Sequence, residues 1–169
     1  MTFDVPVRSL LDLCRSRKKT IVTAESCTGG LICAALTEVS GSSDVVWGGF
    51  VTYANEAKTT VLDVPESLLR EKGAVSREVV EAMARGALVK SGASLSVAVS
   101  GIAGPGGGSP DKPVGTVWIA TSLKEGDVYS EQFLFTGDRT QVRRDTVHNA
   151  LRICEKIILN ESSLDSKLS

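Results

Sequence analysis

The sequence predicts a three-layer α/β/α sandwich around a mixed β-sheet, contained in one domain. Three observations predict it. Strand-like and helix-like segments alternate over the first hundred or so residues, the pattern of parallel strands joined by crossover helices. Two strand-like runs, "VGTVWIATS" and "DVYSEQFLF", then follow one another across a short "LKEG" connection, which makes an antiparallel pair. No repeat or linker divides the 169 residues, and a chain of that size buries roughly 70% of its unfolded surface. The domain is expected over residues 1–160, with 161–169 a frayed tail.

The elements follow in order. Asp4 and Pro6 mark a helix start, and Val7, Leu10, Leu11 and Cys14 recur at helical spacing. "TIVTA" (20–24) is a short buried strand, followed by a glycine junction and a helix whose Ile32, Ala35, Leu36 and Val39 share a face. "VVWGGFVTYA" (45–54) is strand-like, and "NEAKTTVLDV" opens another helix with Asn55 as its N-cap. Pro65 starts a short helix that Gly73 ends. Ser76 caps "REVVEAMARGALVKSG", with Val79, Val80, Met83, Ala87 and Leu88 inward. "ASLSVAVS" (93–100) is a strand leading into a glycine-rich loop, and the last helix covers about 139 to 160. His148, on the edge of that helix's apolar face, reads as a partly buried packing residue, and Trp47 and Trp118 as core or interface.

Composition removes several classes of function. A net charge of −1 and a pI near 5.9 give no electrostatic footprint for nucleic acid. The basic run of Arg15, Arg17, Lys18 and Lys19 suits the C-terminal turn of the first helix. No apolar run approaches the ~20 residues of a membrane span, and no basic segment leads into an apolar one as in a signal peptide. Cys14, Cys27, Cys33 and Cys154 lack CxxC spacing and His148 is the only histidine, so no metal site is expected. Reduced thiols and a cytoplasmic setting follow.

Three loops at strand ends carry the residues that chemistry would use: 25–30, 53–58 and 101–116. In open α/β sheets, ligands sit beyond the carboxyl ends of strands, so these loops meet if their strands are parallel neighbours. In "AESCTGG", Ser26 stands before Thr28, Gly29 and Gly30 at a helix start, where bare backbone N–H groups suit an oxyanion or phosphate. Ser26 is then either a nucleophile or, like Thr28, an N-cap; Cys27 is a rival nucleophile, because a helix N-terminus lowers a thiol pKa. In "YANEAK", Lys58 falls in the first helical turn, where the dipole and any burial favour the neutral amine of a general base. The alternative is an exposed lysine paired with Glu56 or Asp63. Tyr53 is placed to relay or donate a proton. The loop "SGIAGPGGGSPDKPVGT" fits neither a Walker loop nor GxGxxG, yet its backbone can form an anion nest, with Lys112 and Thr116 adding charge and a hydroxyl. A surface loop is the alternative.

Together, "AESCTGG", "YANEAK", "GAVS", "SGIAGPGGG", "KPVGTVWIA" and "FTGDRTQVRR" resemble the signature blocks of the CinA C-terminal-domain family, over roughly residues 7 to 158. The resemblance implies an α/β/α domain that hydrolyses the carboxamide of nicotinamide mononucleotide to nicotinate mononucleotide and ammonia, without cofactor or metal. It implies Ser26 as nucleophile, with Lys58 and Tyr53 as activating partners. Thr28, Gly29 and Gly30 match the family's first glycine motif, and Ser100, Gly101, Gly104, Gly106, Gly115 and Thr116 its nucleotide-contacting loops. Longer members carry a further N-terminal domain, whose activities are not expected of these 169 residues. The expected partner is thus a small nucleotide rather than nucleic acid or membrane, and a homo-oligomer stays open. A nucleotide- or phosphate-binding module without turnover is the competing reading, and an interaction domain using the Trp47 region a third.

Overall fold

The computed structural model describes residues 4–165, with side chains described for 6–161. Its elements are α1 (Asp4–Ser16), β1 (Ile21–Glu25), α2 (Leu31–Thr37), β2 (Val46–Val51), α3 (Asn55–Leu62), α4 (Glu66–Lys72), α5 (Arg77–Ser91), β3 (Leu95–Gly101), β4 (Thr116–Leu123), β5 (Val128–Leu134) and α6 (Arg139–Asp165). The strands form one mixed sheet in the order β2-β1-β3-β4-β5. β1 runs parallel to both β2 and β3, while β4 is antiparallel to β3 and to β5. The α/β/α sandwich expected from the sequence is the fold.

Alternation along the strands divides the core into two layers. Ile21, Leu95, Val97, Val99, Val117 and Ile119 pack with α1, α2 and α6 on one face. Val22, Ala24, Ala98 and Ala120 pack with α3, α4 and α5 on the other. The central strands β1 and β3 are buried along almost their whole length, which is why, Glu25 apart, their only polar residues are the small Thr23, Ser96 and Ser100. α5 is tied at its start by Ser76, whose hydroxyl accepts from the Val79 N–H, as expected of an N-cap.

The sheet's direction pattern places the functional loops. Because β1, β2 and β3 are parallel neighbours, the segments after Glu25, Val51 and Gly101 all leave the same edge. β4 reverses and β5 reverses again, so β5 also points to that edge and delivers the start of α6 there.

Several local expectations are corrected. β2 ends at Val51 rather than 54, since Thr52–Ala54 turn away toward α3. The N-cap of α3 is Ala54, without a side-chain bond, and Asn55 is the first helical residue. α6 continues through Asp165, beyond the expected end at 160, and residues 166–169 lie outside the described residues. His148 is exposed, because the buried stripe of α6 runs through Val147, Ala150, Leu151, Cys154 and Ile158, leaving position 148 turned outward. Trp47 is half-exposed on β2 beside Phe50, and Trp118 lies partly buried under the Arg77 guanidinium. Among the described residues, no helix is long and apolar enough to cross a membrane.

Candidate active site

The turn after β1 is organised by a residue that sequence reasoning passed over. Glu25 is fully buried, and its carboxylate accepts five hydrogen bonds. Oε2 takes the Thr28 hydroxyl at 2.6 Å and the N–H groups of Gly30 and Ile32 at 3.0 Å each. Oε1 takes the Cys33 N–H at 2.8 Å and the Thr23 hydroxyl at 3.1 Å. The backbone curls around this group through Gly29 and Gly30, whose φ values of 60° and 98° favour glycine. Two expectations change. Neither Ser26 nor Thr28 caps α2, whose N-cap position is held by Gly30. The glycines do not leave the helix-terminal N–H groups of Gly30, Ile32 and Cys33 open to a ligand, because the chain's own carboxylate occupies them.

Ser26 sits on the outer side of this turn, 8% exposed, with its N–H donated to the Val99 carbonyl. Lys58 reaches it from α3. Its side chain is 1% exposed, and Nζ lies 3.0 Å from Ser26 Oγ. Nζ also donates to the carbonyls of Thr52 at 2.8 Å and Tyr53 at 3.2 Å. Because Ala54 is the N-cap, Lys58 is the fourth helical residue, one position later than the expected Asn55 cap would place it. Asp63, one of the ion-pair partners considered for it, pairs with Lys90 instead. Among the described residues no carboxylate pairs with Lys58, and burial pushes its amine down to about 8. A neutral amine has two N–H bonds and one lone pair. The ammonium directs three N–H groups at the two carbonyls and Ser26 Oγ; once neutral, the amine keeps two for the carbonyls and turns its lone pair to the Ser26 hydroxyl.

The remaining predicted residues divide. Cys27 is 5% exposed, and burial pushes its thiol up to about 12, the reverse of an activated nucleophile. Tyr53 touches Lys58 through its backbone carbonyl, while its exposed phenol oxygen accepts from Arg139 Nη2 at 3.1 Å. In the glycine loop, the Gly104 carbonyl accepts from Arg139 Nη1 at 3.0 Å, and Gly106 has open space beside it. Gly101 completes the β3–β4 ladder opposite Val117, and Gly115 donates its N–H to Ile102. The hydroxyls of Ser100 and Thr116 are donated to the carbonyls of Ala74 and Pro113. Lys112 reaches the Lys72 carbonyl at 3.0 Å, toward the α4–α5 connection.

Two arginines of α6 were also missed. Arg139 links Tyr53 to Gly104, and Arg143 Nη2 donates to the Thr28 carbonyl at 2.8 Å. Arg143 Nε is buried with no acceptor. None of the ion pairs among the described residues includes either arginine. The signal available was their spacing, which puts them one turn apart on one helix face.

Comparison with known proteins is consistent along the whole domain. The model of the CinA C-terminal domain family matches residues 6–158. The nicotinamide-nucleotide amidohydrolase PncC of Pseudomonas putida is 59% identical over 132 residues, covering 78% of this chain and 81% of that protein. A CinA-like protein of Akkermansia muciniphila is 56% identical over 129 residues, covering 76% of this chain but only 31% of its own length. The chain thus spans about a third of the longer CinA-like relatives. Among solved structures, the competence/damage inducible protein CihA of Agrobacterium tumefaciens superposes with a TM-score of 0.88 at 47% identity, covering 92% of this chain and 94% of that one. A CinA superfamily protein of Klebsiella pneumoniae gives 0.90 at 33% identity, covering 95% and 99%. The buried serine–lysine pair and its glycine turn therefore stand in a known fold: this chain belongs to the CinA C-terminal domain family.

Proposed function

We propose that the protein hydrolyses the carboxamide of nicotinamide mononucleotide to nicotinate mononucleotide and ammonia, with Ser26 as nucleophile and Lys58 as general base. The observation that carries this reading is the 3.0 Å contact between Ser26 Oγ and a buried amine with no carboxylate partner. The match to the Pseudomonas putida amidohydrolase over most of both chains supplies the substrate.

The steps follow from the geometry. Lys58 Nζ takes the Ser26 hydroxyl proton as Oγ bonds to the amide carbon, giving a tetrahedral oxyanion. Lys58 returns that proton to the leaving nitrogen, the C–N bond breaks, and ammonia departs from an ester on Ser26. Water then attacks the ester with Lys58 again as base, releasing the carboxylic acid and free Ser26. Glu25 occupies the N–H groups of Gly30, Ile32 and Cys33, and the N–H groups of Cys27 and Thr28 make none of the turn's hydrogen bonds. They are the oxyanion donors in this scheme. With a pKa of about 8, about one Lys58 in ten is neutral at pH 7, against roughly one in three thousand for an ordinary lysine.

Arg139 and Arg143 supply positive charge without a carboxylate partner beside this turn, which suits a substrate phosphate better than Lys112 does. Tyr53 acts on Lys58 through its carbonyl and presents its phenol with Arg139 at the open side. Gly104 and Gly106 line the approach of the nucleotide. The protein works in the cytoplasm, where its four free cysteines stay reduced.

Ammonia release from nicotinamide mononucleotide tests the reading. Ser26→Ala and Lys58→Ala should each lose several orders of magnitude in kcat while keeping the wild-type circular dichroism spectrum. Saturable binding of the nucleotide by wild-type protein without ammonia would favour the binding module instead.

A further inference from the structure

We infer that Glu25 is a positioning residue for the acylation of Ser26: its carboxylate folds the Ser26–Thr28 turn into an oxyanion-binding shape. This rests on the serine–lysine reading of the site. The argument starts from what a glutamate at the end of a buried strand ordinarily does. It is exposed, or it pairs with a cation. Glu25 does neither. It is fully buried, and all five of its contacts are hydrogen bonds from neutral donors within eight residues.

Those contacts have two consequences for the reacting groups. First, they settle which N–H groups remain. A helix start beside a nucleophile offers several N–H groups that compete for one oxyanion; Glu25 holds three of them, and leaves those of Cys27 and Thr28 next to Ser26. Second, they hold the turn from both sides. The Thr28 hydroxyl is tied to Oε2 at 2.6 Å, while the Thr28 carbonyl is tied to Arg143 at 2.8 Å, so Thr28 is held both at its side chain and at the peptide that follows it. The Glu25 main chain adds a third link. Its carbonyl accepts from the Thr52 N–H at 2.9 Å, and the Thr52 carbonyl in turn accepts from Lys58. One residue therefore connects the nucleophile's turn to the base's acceptor.

Glu25→Gln keeps the size of the side chain but puts an NH₂ group where only acceptors fit, opposite N–H donors. The turn must then open or rotate. Loss of an aligned oxyanion donor slows acylation by about two to three orders of magnitude. The experiment measures labelling of Ser26 by a fluorophosphonate, followed by mass spectrometry, which reads nucleophile and oxyanion geometry without depending on the natural substrate. Wild type should be labelled at Ser26, and Glu25→Gln about a hundredfold more slowly. In parallel, kcat for nicotinamide mononucleotide should fall by a similar factor, while affinity for the product nicotinate mononucleotide stays within about threefold. That split distinguishes positioning from general damage to the fold. If Glu25→Gln does not fold, Thr28→Val removes only the 2.6 Å bond and should slow labelling about tenfold.

A folded Glu25→Gln protein labelled at the wild-type rate overturns the inference. So does a Thr28→Val protein labelled at that rate. Absence of labelling at Ser26 in wild type would overturn it too, together with the nucleophile assignment. Labelling that follows the expected pattern in a protein that releases no ammonia from the nucleotide would uphold Glu25 and refute only the substrate.

Discussion

Lys58→Met should abolish turnover and, at the same time, remove a pH dependence from the stability of the fold. The folded pKa of Lys58 is about 8 and its ordinary value 10.5, so between those values the unfolded chain binds more protons than the folded one. Wild-type stability therefore rises with pH across that window. Below about 8 the penalty for folding with a charged Lys58 is constant, about 3 kcal/mol. Between pH 7 and pH 9.5 about 2 kcal/mol of that penalty is relieved. Methionine fills a similar volume with no charge, so its variant lacks this gain, whatever the missing bonds to the Thr52 and Tyr53 carbonyls do to its absolute stability. Urea unfolding of both proteins at half-unit intervals from pH 6.5 to 9.5 measures the difference. The wild-type curve should climb relative to the variant by about 2 kcal/mol, with most of the climb above pH 8. The kcat/KM of wild type should rise about tenfold per pH unit below the same midpoint and level off above it. Parallel stability curves, or a flat activity profile from pH 6 to 9, would refute the claim that burial depresses this lysine.

The other expectations are simpler. Cys27→Ala should retain most activity, and iodoacetamide should modify the native Cys27 very slowly, because a thiol pushed up to about 12 is almost wholly protonated at neutral pH. Arg139→Ala should raise KM for the mononucleotide by one to two orders of magnitude, with little effect on the much weaker hydrolysis of the riboside, which has no phosphate to lose. Prolonged dialysis against EDTA should leave ammonia release intact, since the serine–lysine route calls on no Lewis acid.

How legible the molecule was depended on the distance over which its signals act. Local patterns were sufficient for the elements: the helical spacing of Val79, Val80 and Met83, the Ser76 cap, and the hairpin across "LKEG" all appear in the structure. Ser26 and Lys58 were visible as residue types in unusual settings, a serine before two glycines and a lysine near a helix start. Glu25 was not, because a glutamate at a strand end looks like a surface residue until the following turn folds back over it. Arg139 and Arg143 were hidden for a different reason. Their arrival at the site depends on β5 pointing the same way as β3, and so on two reversals of chain direction and the order of strands in the sheet. Tyr53 shows the limit of reasoning from adjacency: its carbonyl lies against Lys58, but its phenol turns outward to Arg139.

The bond from the Thr52 N–H to the Glu25 carbonyl is one further rung of the β1–β2 ladder, placed just past the last residues of both strands. Ser26 follows that rung at the end of β1, and Lys58, reaching in from α3, rests its Nζ on the Thr52 carbonyl. The rung closes the end of the sheet at this point, Thr52 is buried, and the neighbouring strand β1 is buried throughout. The Thr52 amide should accordingly exchange its hydrogen with solvent only through openings close to global unfolding, unlike most loop amides. A serine and a lysine held this way do not come together when a ligand arrives; they already stand 3.0 Å apart in the resting protein.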